Sequence, residues 1–424
     1  MLTIINENNN KRVSSFIFFL LDNSFLFYKN LYNFLKNIET FIYKGAFENF
    51  VRTIYDSIND KIDNYQFFEN EAIEGLYQFV NDSSIGNTIF IQALNCYSYA
   101  RYIWTFPIKN DDRSYLFAIH LYERIHKLNS SFIPSALIDK NNYLLAILLR
   151  NNGDLNKAVE LMENVYQNLY KNAYFNEACQ ALLELGAIYR ELAKFDRALN
   201  LYNSYDKTLI IDELLVYRLK MNTGIIYKNK TQNDLFNEAI TEDTIKNYHI
   251  SKKLFEEVYV YAKKTNHIPL QLEIIAELIE SVVAGYYLNF TKIVDAVTYA
   301  EEMDSILPQY PVPVRKIQAC RMWARVLTIK GEFLEAINRL QEGFSIAEHY
   351  NIPFRAADCC NQISGILCEN INKPFITKSL LEVGIKSCQY SIDYYKKLNQ
   401  KEHRYLNDSY LKLNRLQSAL KNLF

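Results

Sequence analysis

Six histidines, seven cysteines and 48 carboxylates are available for chemistry in this 424-residue chain, and their spacing assembles none of the usual sites. His120 and His126 are six residues apart, which on a helix leaves them about 120° from facing each other, a poor arrangement for a shared metal. Cys96, Cys179, Cys320, Cys359, Cys360, Cys368 and Cys388 contain no Cys-x-x-Cys pair. Adjacent cysteines on a helix point about 100° apart, so Cys359 and Cys360 do not form a zinc site. An odd cysteine count without paired spacing reads as reduced, buried thiols in a cytoplasmic protein. Glu256-Glu257 and Glu301-Glu302 read as solvated helix charges. The chain has no Gly-x-Ser-x-Gly elbow, no His-Glu-x-x-His and, with 11 glycines, no phosphate-cradling loop. The expectation is a protein that is not an enzyme and holds no metal or cofactor.

The elements that must position any functional residue are helices. Alanines recur at Ala118, Ala158 and Ala198, and again at Ala296 and Ala336, with a spacing of forty and similar apolar and aromatic neighbours. A fixed period in this range, with 11 Gly and 8 Pro as the only breakers, means stacked helical hairpins. The clearest unit runs from Ala178 to Tyr202, with Leu182, Leu185-Gly186 and Tyr189 on its first helix and Ala198 and Tyr202 on its second. Upstream, Asn142 to Leu149, the turn at Asn151-Asn-Gly153 and Ala158 repeat the theme, with Ala146 in place of the glycine. Downstream, Thr223-Gly224 to Tyr227 is another first helix. The polar stretch from Asn229 to Thr244 then exceeds the frame and reads as an insertion. The frame resumes at Ala284, Tyr287, Ala296 and Tyr299, and again at Trp323-Ala324, Leu327, Gly331, Phe333, Ala336 and Leu340. Pro269 and Pro353 each follow a helix that ends in similar sequence, and each breaks the chain to start the next hairpin.

The Ala178–Tyr202 unit resembles a tetratricopeptide repeat, matching that family at Leu182, Leu185-Gly186, Tyr189, Ala198 and Tyr202. It departs at Tyr205, where the family has a small residue. Gly186 and Ala198 are expected where two helices cross closely. The resemblance implies an all-α, right-handed superhelical solenoid of antiparallel hairpins with a period of about forty. The expected organisation is an aromatic-rich helical cap or docking region over 1–87, a solenoid over 88–379 with an insertion near 229–244, and capping helices over 380–424.

The resemblance also implies which side chains look into the concave groove: Gln180, Leu183, Ala187 and Arg190 in one unit, Arg218, Met221, Ile225 and Lys228 in the next, and Gln318, Arg321, Arg325 and Thr328 in a later one, followed by Asn361. Cations therefore recur on the expected inner face although the chain carries 47 basic against 48 acidic residues. The predicted partner-binding residues are Arg190, Arg218, Asn222, Lys228, Arg321, Arg325 and Asn361, with arginines donating paired hydrogen bonds to an acidic protein or peptide and the asparagines fixing its backbone. The function expected is a scaffold or adaptor. The alternatives are a peptide-sensing regulator, or an accessory subunit controlling a partner enzyme or toxin. Overall neutrality removes the global argument for direct nucleic-acid binding.

The apolar run Phe16–Leu21 and the segments Phe25–Tyr28 and Leu31–Leu35 are interrupted by Asp22, Asn23, Lys29, Asn30 and Asn33, so no membrane span is expected. Lys11-Arg12 precedes this stretch, but no small-residue cleavage site follows it, so no secretory signal is expected either. The region reads as a cap, with a docking face for a second copy or a partner as the alternative. At the other end, Tyr390, Tyr394, Tyr395 and Leu398 form one stripe, which Tyr405, Tyr410, Leu413 and Leu416 continue toward Leu423-Phe424.

Overall fold

The computed structural model describes residue 119 and residues 122–123, 135–151, 154–350, 352–397 and 404–422. The expectations for the 1–87 region, and those resting on Cys96, Ala118, His120, His126, Leu398, Leu423 and Phe424, lie outside these residues, as does the side chain of Tyr405. The chain divides into two compact units, Met1–Leu149 with Glu160–Leu169, and Arg150–Val159 with Tyr170–Phe424. Two helices, α1 (Ser135–Asn151) and α2 (Leu155–Lys171), are divided between them. In the first unit Leu144, Leu145, Ala146 and Leu148 of α1 and Met162 and Val165 of α2 are buried. Polar links there run from Asn141 Nδ2 to the Tyr122 carbonyl at 3.1 Å and from Asn168 Nδ2 to Asp139 Oδ1 at 3.3 Å.

The second unit continues as α3 (Phe175–Glu191), α4 (Phe195–Ser204), a 3₁₀ turn at Lys207–Leu209, α5 (Glu213–Phe236), α6 (Glu242–Lys264), α7 (Ile268–Tyr287) and α8 (Ile293–Ile306). A second 3₁₀ turn at Leu307–Gln309 leads into α9 (Pro313–Lys330), α10 (Phe333–His349), α11 (Pro353–Glu369), α12 (Lys378–Lys397) and α13 (Arg404–Asn422). Each helix packs on the next, and the first arms also pack on one another in the order α3, α5, α7, α9, α11, α13. Successive hairpins are therefore stacked with their first arms, here the A helices, in one layer and their second arms, the B helices, in another. This is a tetratricopeptide-like helical repeat, all-α throughout the described residues. The expected boundary at 380 falls inside α12, which is the second arm of the α11/α12 hairpin.

One corner recurs. Ala193, Glu238, Asn266, Asn289 and Gly331 follow a helix with φ of 57°, 54°, 50°, 62° and 81°. The next amide in each case reaches back to close the last turn: Lys194 to the Tyr189 carbonyl, Ala239 to Asp234, His267 to Ala262, Phe290 to Gly285 and Glu332 to Leu327, at 2.7–3.0 Å. This left-handed cap satisfies orphan carbonyls and reverses the chain in a few residues. Helix starts are set as firmly. Asp212 accepts from Leu214 N at 2.9 Å, Thr241 and Thr244 cap α6 reciprocally, and prolines stand in the first turn of α7, α9 and α11.

Inside each hairpin the contact is apolar and close. Ala158, Ala198, Ala296 and Ala336, the alanines of the forty-residue frame, are fully buried. A Cβ on Gly186 would lie 2.0 Å from the Tyr202 hydroxyl, and one on Gly224 would lie 2.7 Å from the Phe255 ring. The Tyr202 hydroxyl donates to the Leu183 carbonyl at 3.0 Å, which fixes the ring over Gly186. Tyr205 is not a late position of α4. That helix ends at Ser204, and Tyr205 turns back to donate to the Phe175 carbonyl at 2.6 Å. The long polar stretch 229–244 lies mostly within lengthened arms: α5 has 24 residues and α6 has 23, against 17 and 10 in the preceding hairpin. Thr244 Oγ1 bonds Asp234 Oδ2 at 2.7 Å across the turn between them.

Candidate partner-binding face

The residues predicted from the repeat divide into two sets. Leu183, Ala187 and Met221 are buried, with relative exposures of 9%, 7% and 6%, Met221 in an apolar cluster with Phe255, Val258, Leu270 and Ile274; they are not free groove surface. The charged positions remain half-exposed in most cases, and the structure ties them into a ladder that crosses the A layer.

The centre of the ladder is α7, which carries Glu273, Glu277 and Glu280 at i, i+4 and i+7, one face of a helix. From α5, Arg218 Nη1 pairs with Glu273 Oε2 at 3.3 Å, Lys228 Nζ with Glu277 Oε2 at 2.6 Å, and Gln232 donates to Glu280 Oε2 at 3.1 Å. From α9 on the other side, Arg315 pairs with the second oxygen of Glu273, and Arg325 Nε lies 3.8 Å from Glu280 Oε2. Glu273 and Glu280 are thus each shared between two neighbouring A helices. Burial pushes the Glu280 carboxyl upward, but Arg325, Lys228 and Arg321 together hold it below its ordinary value, so it stays ionised.

The next junction is built differently. Arg321 Nη1 of α9 and Arg355 Nη1 of α11 both approach Asp358 Oδ2, at 3.3 and 3.4 Å. With the Gln362 amide oxygen turned toward α9, it accepts from Arg321 Nε and Nη2 at 2.7 and 2.9 Å. Asn361 faces the last junction, where its Oδ1 accepts from Lys412 Nζ of α13 at 2.9 Å. Asn222 bonds within its own helix, donating to the Arg218 carbonyl at 3.0 Å. Arg190 of α3 is half-exposed and makes no side-chain ion pair among the described residues. Arg218, Lys228, Arg321 and Arg325 are therefore brought into one network, whereas Arg190, Asn222 and Asn361 stand apart from it.

Two members of the network are absent from the sequence-based set, Arg315 and Arg355. A signal for them exists: Pro313-Val-Arg315 and Pro353-Phe-Arg355 place arginine at the same position of successive A helices, forty residues apart. Most of these pairs are partly exposed and individually contribute about 0–1 kcal/mol. Lys228, whose side chain is 10% exposed, is the main exception.

The cysteines among the described residues are free and buried. Burial pushes the Cys179, Cys320, Cys359 and Cys360 thiols up to about 12, far from the thiolate form at neutral pH. Among the described residues no group of His, Cys, Asp and Glu converges as a metal site would require, and no helix is long and apolar enough to cross a membrane.

No protein-family model matches the sequence, and no curated protein matches it. Among solved structures, a monomeric mutant of IFIT1 with m7Gppp-AAAA is 13% identical at a TM-score of 0.47, covering 93% of this chain and 76% of its own. The P58(IPK) TPR domain is 12% identical at 0.20, covering 83% and 94%. Naa15/Naa10 bound to HypK-THB is 13% identical at 0.20, covering 93% and 79%. At these scores the matches assign no activity or ligand, and the fold stands on the helix packing itself.

Proposed function

We propose that the chain is a non-enzymatic interaction scaffold of the cytoplasm whose A-helix face engages an acidic segment of a partner protein or peptide. The observation that carries this reading is the charge balance of the ladder. Among the described residues, Arg218, Lys228, Arg315, Arg321, Arg325 and Arg355 pair with four acids, Glu273, Glu277, Glu280 and Asp358. These six cations stand on α5, α9 and α11 along one stretch of the A layer, in a chain with 47 basic and 48 acidic residues. The shared acids hold the guanidinium groups in place, and an incoming carboxylate meets donors whose rotamer entropy is already spent.

The test is affinity purification of the wild-type chain and of the Arg321→Gln, Arg325→Gln double variant from the native cell. Glutamine is chosen because a glutamate at 321 would repel Asp358. The expected result is a co-purifying partner that the double variant loses while its helical circular dichroism is unchanged. Retention of the same partner at the same yield contradicts the reading.

A further inference from the structure

The turns α5–α6, α7–α8, α9–α10 and α11–α12 each leave the C-terminal end of an A helix, so the stacking sets them in a row along one edge of the second unit. Three of them expose large apolar side chains. Phe236 and Ile240 stand at the first, Tyr287, Phe290 and Val294 at the second and Leu334 at the third, each at least 46% exposed and Phe236 87%. Single exposed apolar residues are ordinary on a surface, but six on successive turns of one edge make a patch of the kind that marks an interface. The fourth turn is a hollow. With α13 it encloses a cavity of about 690 Å³, walled by Ile371, Ile376, Leu381 and Ala419 and lined also by Lys373 and Arg415.

The two ends of this row complement each other. At the first turn the apolar tip of Phe236 and Ile240 is set among Glu238, Glu242 and Asp243. At the fourth the hollow carries two cations and, among its lining residues, no acid. All five charged groups are exposed and none has an ion-pair partner among the described residues. The α7/α8 and α9/α10 hairpins stand between tip and hollow, so the two do not meet within one chain. A second copy turned by 180° along the same edge seats both tips in both hollows at once. It also lays Tyr287, Phe290 and Val294 against Leu334 of the other copy. Four hairpins about 10 Å apart and two layers each about 10 Å deep give an edge of about 800 Å² per copy, the area a stable dimer needs.

We propose that the chain forms a symmetric dimer through this edge, with Phe236 and Ile240 of each copy seated in the α11–α12 hollow of the other and the flanking acids facing Lys373 and Arg415. The contact is isologous, so it closes at two copies. It takes no residue from the ladder and is independent of the partner assigned to the A-helix face. The ion pairs at its rim are solvent-exposed and add little affinity, so they serve to fix the antiparallel register.

The experiment is sedimentation velocity of the full chain over a range of concentrations at low ionic strength. The wild type is expected to pass from monomer to dimer with a dissociation constant of about 1–10 μM. Phe236→Asp should weaken the dimer at least about tenfold, whereas Val260→Asp, at an exposed apolar position of α6 away from these turns, should leave it unchanged. Two charge reversals, Glu238→Lys with Glu242→Lys and Lys373→Glu with Arg415→Glu, should each abolish the dimer alone. An equimolar mixture of the two should restore it, because both contacts of the mixed pair are again between opposite charges. Circular dichroism melts establish that each variant is folded, and the mixture carries the test if Phe236→Asp is not. A wild type that stays monomeric throughout, a dimer that survives Phe236→Asp, growth beyond two copies, or a mixture that stays monomeric overturns the proposal.

Discussion

The contact inside a hairpin and the contact between hairpins are made from different chemistry. Between the two arms, glycine meets aromatic: Gly186 under Tyr202 and Gly224 under Phe255, with the frame alanines fully buried around them. Between successive A helices the buried apolar packing continues, but it is edged by the ion-pair ladder of Glu273, Glu277, Glu280 and Asp358 with their cations. The first kind of contact has no tolerance for added volume and no affinity for a polar ligand. The second contributes little stability per pair and keeps charged groups ordered and reachable. Stability and recognition are thus placed on different interfaces of the same repeat.

Overpacking the first interface should have the largest effect. Gly186→Leu forces a side chain into the space of the Tyr202 ring and is expected to cost about 3 kcal/mol, read from the denaturation midpoint. A cost below about 0.5 kcal/mol would mean that the arms are free to separate. In the ladder, Glu277→Ala leaves the Lys228 ammonium nearly enclosed without its partner and should cost about 2 kcal/mol. Replacing both, as Lys228→Met with Glu277→Leu, should recover most of that loss, because the penalty is an unpaired charge and not a lost attraction.

A subtler effect separates the two interfaces by pH. Glu280 has a folded pKa below its ordinary value near 4.5, so its contribution to stability is fully present above that pH and is lost as pH falls through the lower folded value. Glu280→Gln should therefore flatten the acid limb of the stability curve below about pH 4.5. Gly224→Ala should shift the whole curve without changing its shape. The smallest effect belongs to neither interface. Ala193 holds a left-handed φ of 57° at the α3–α4 corner, and Ala193→Gly should stabilise by about 0.5–1 kcal/mol by removing that strain.

Much of the first interface was legible in the sequence because small residues repeat wherever helices cross. Ala158, Ala198, Ala296 and Ala336 mark the arms, and Leu185-Gly186 with Tyr202 marks a crossing. Tyr205 was misplaced because α4 is a short helix, and nothing in Leu201–Tyr205 announces that it stops at Ser204. The ladder was half legible. Periodicity placed Arg218, Lys228, Arg321 and Arg325 near one surface, but their acidic partners lie 37 to 55 residues away on other hairpins, a pairing that only the stacking determines. Arg315 and Arg355 escaped because the repeat positions taken to face inward begin after the first turn of each helix, where these two residues stand just behind a proline.

The claim that the A-helix face is where a partner sits is tested most directly by hydrogen–deuterium exchange of the chain with and without the partner recovered by co-purification. The account predicts added protection in α9 and α11, extending to α5 and α7, with α10 and α12 unchanged. Protection confined to the B helices, or to the turns that expose Phe236, Ile240 and Phe290, would contradict it.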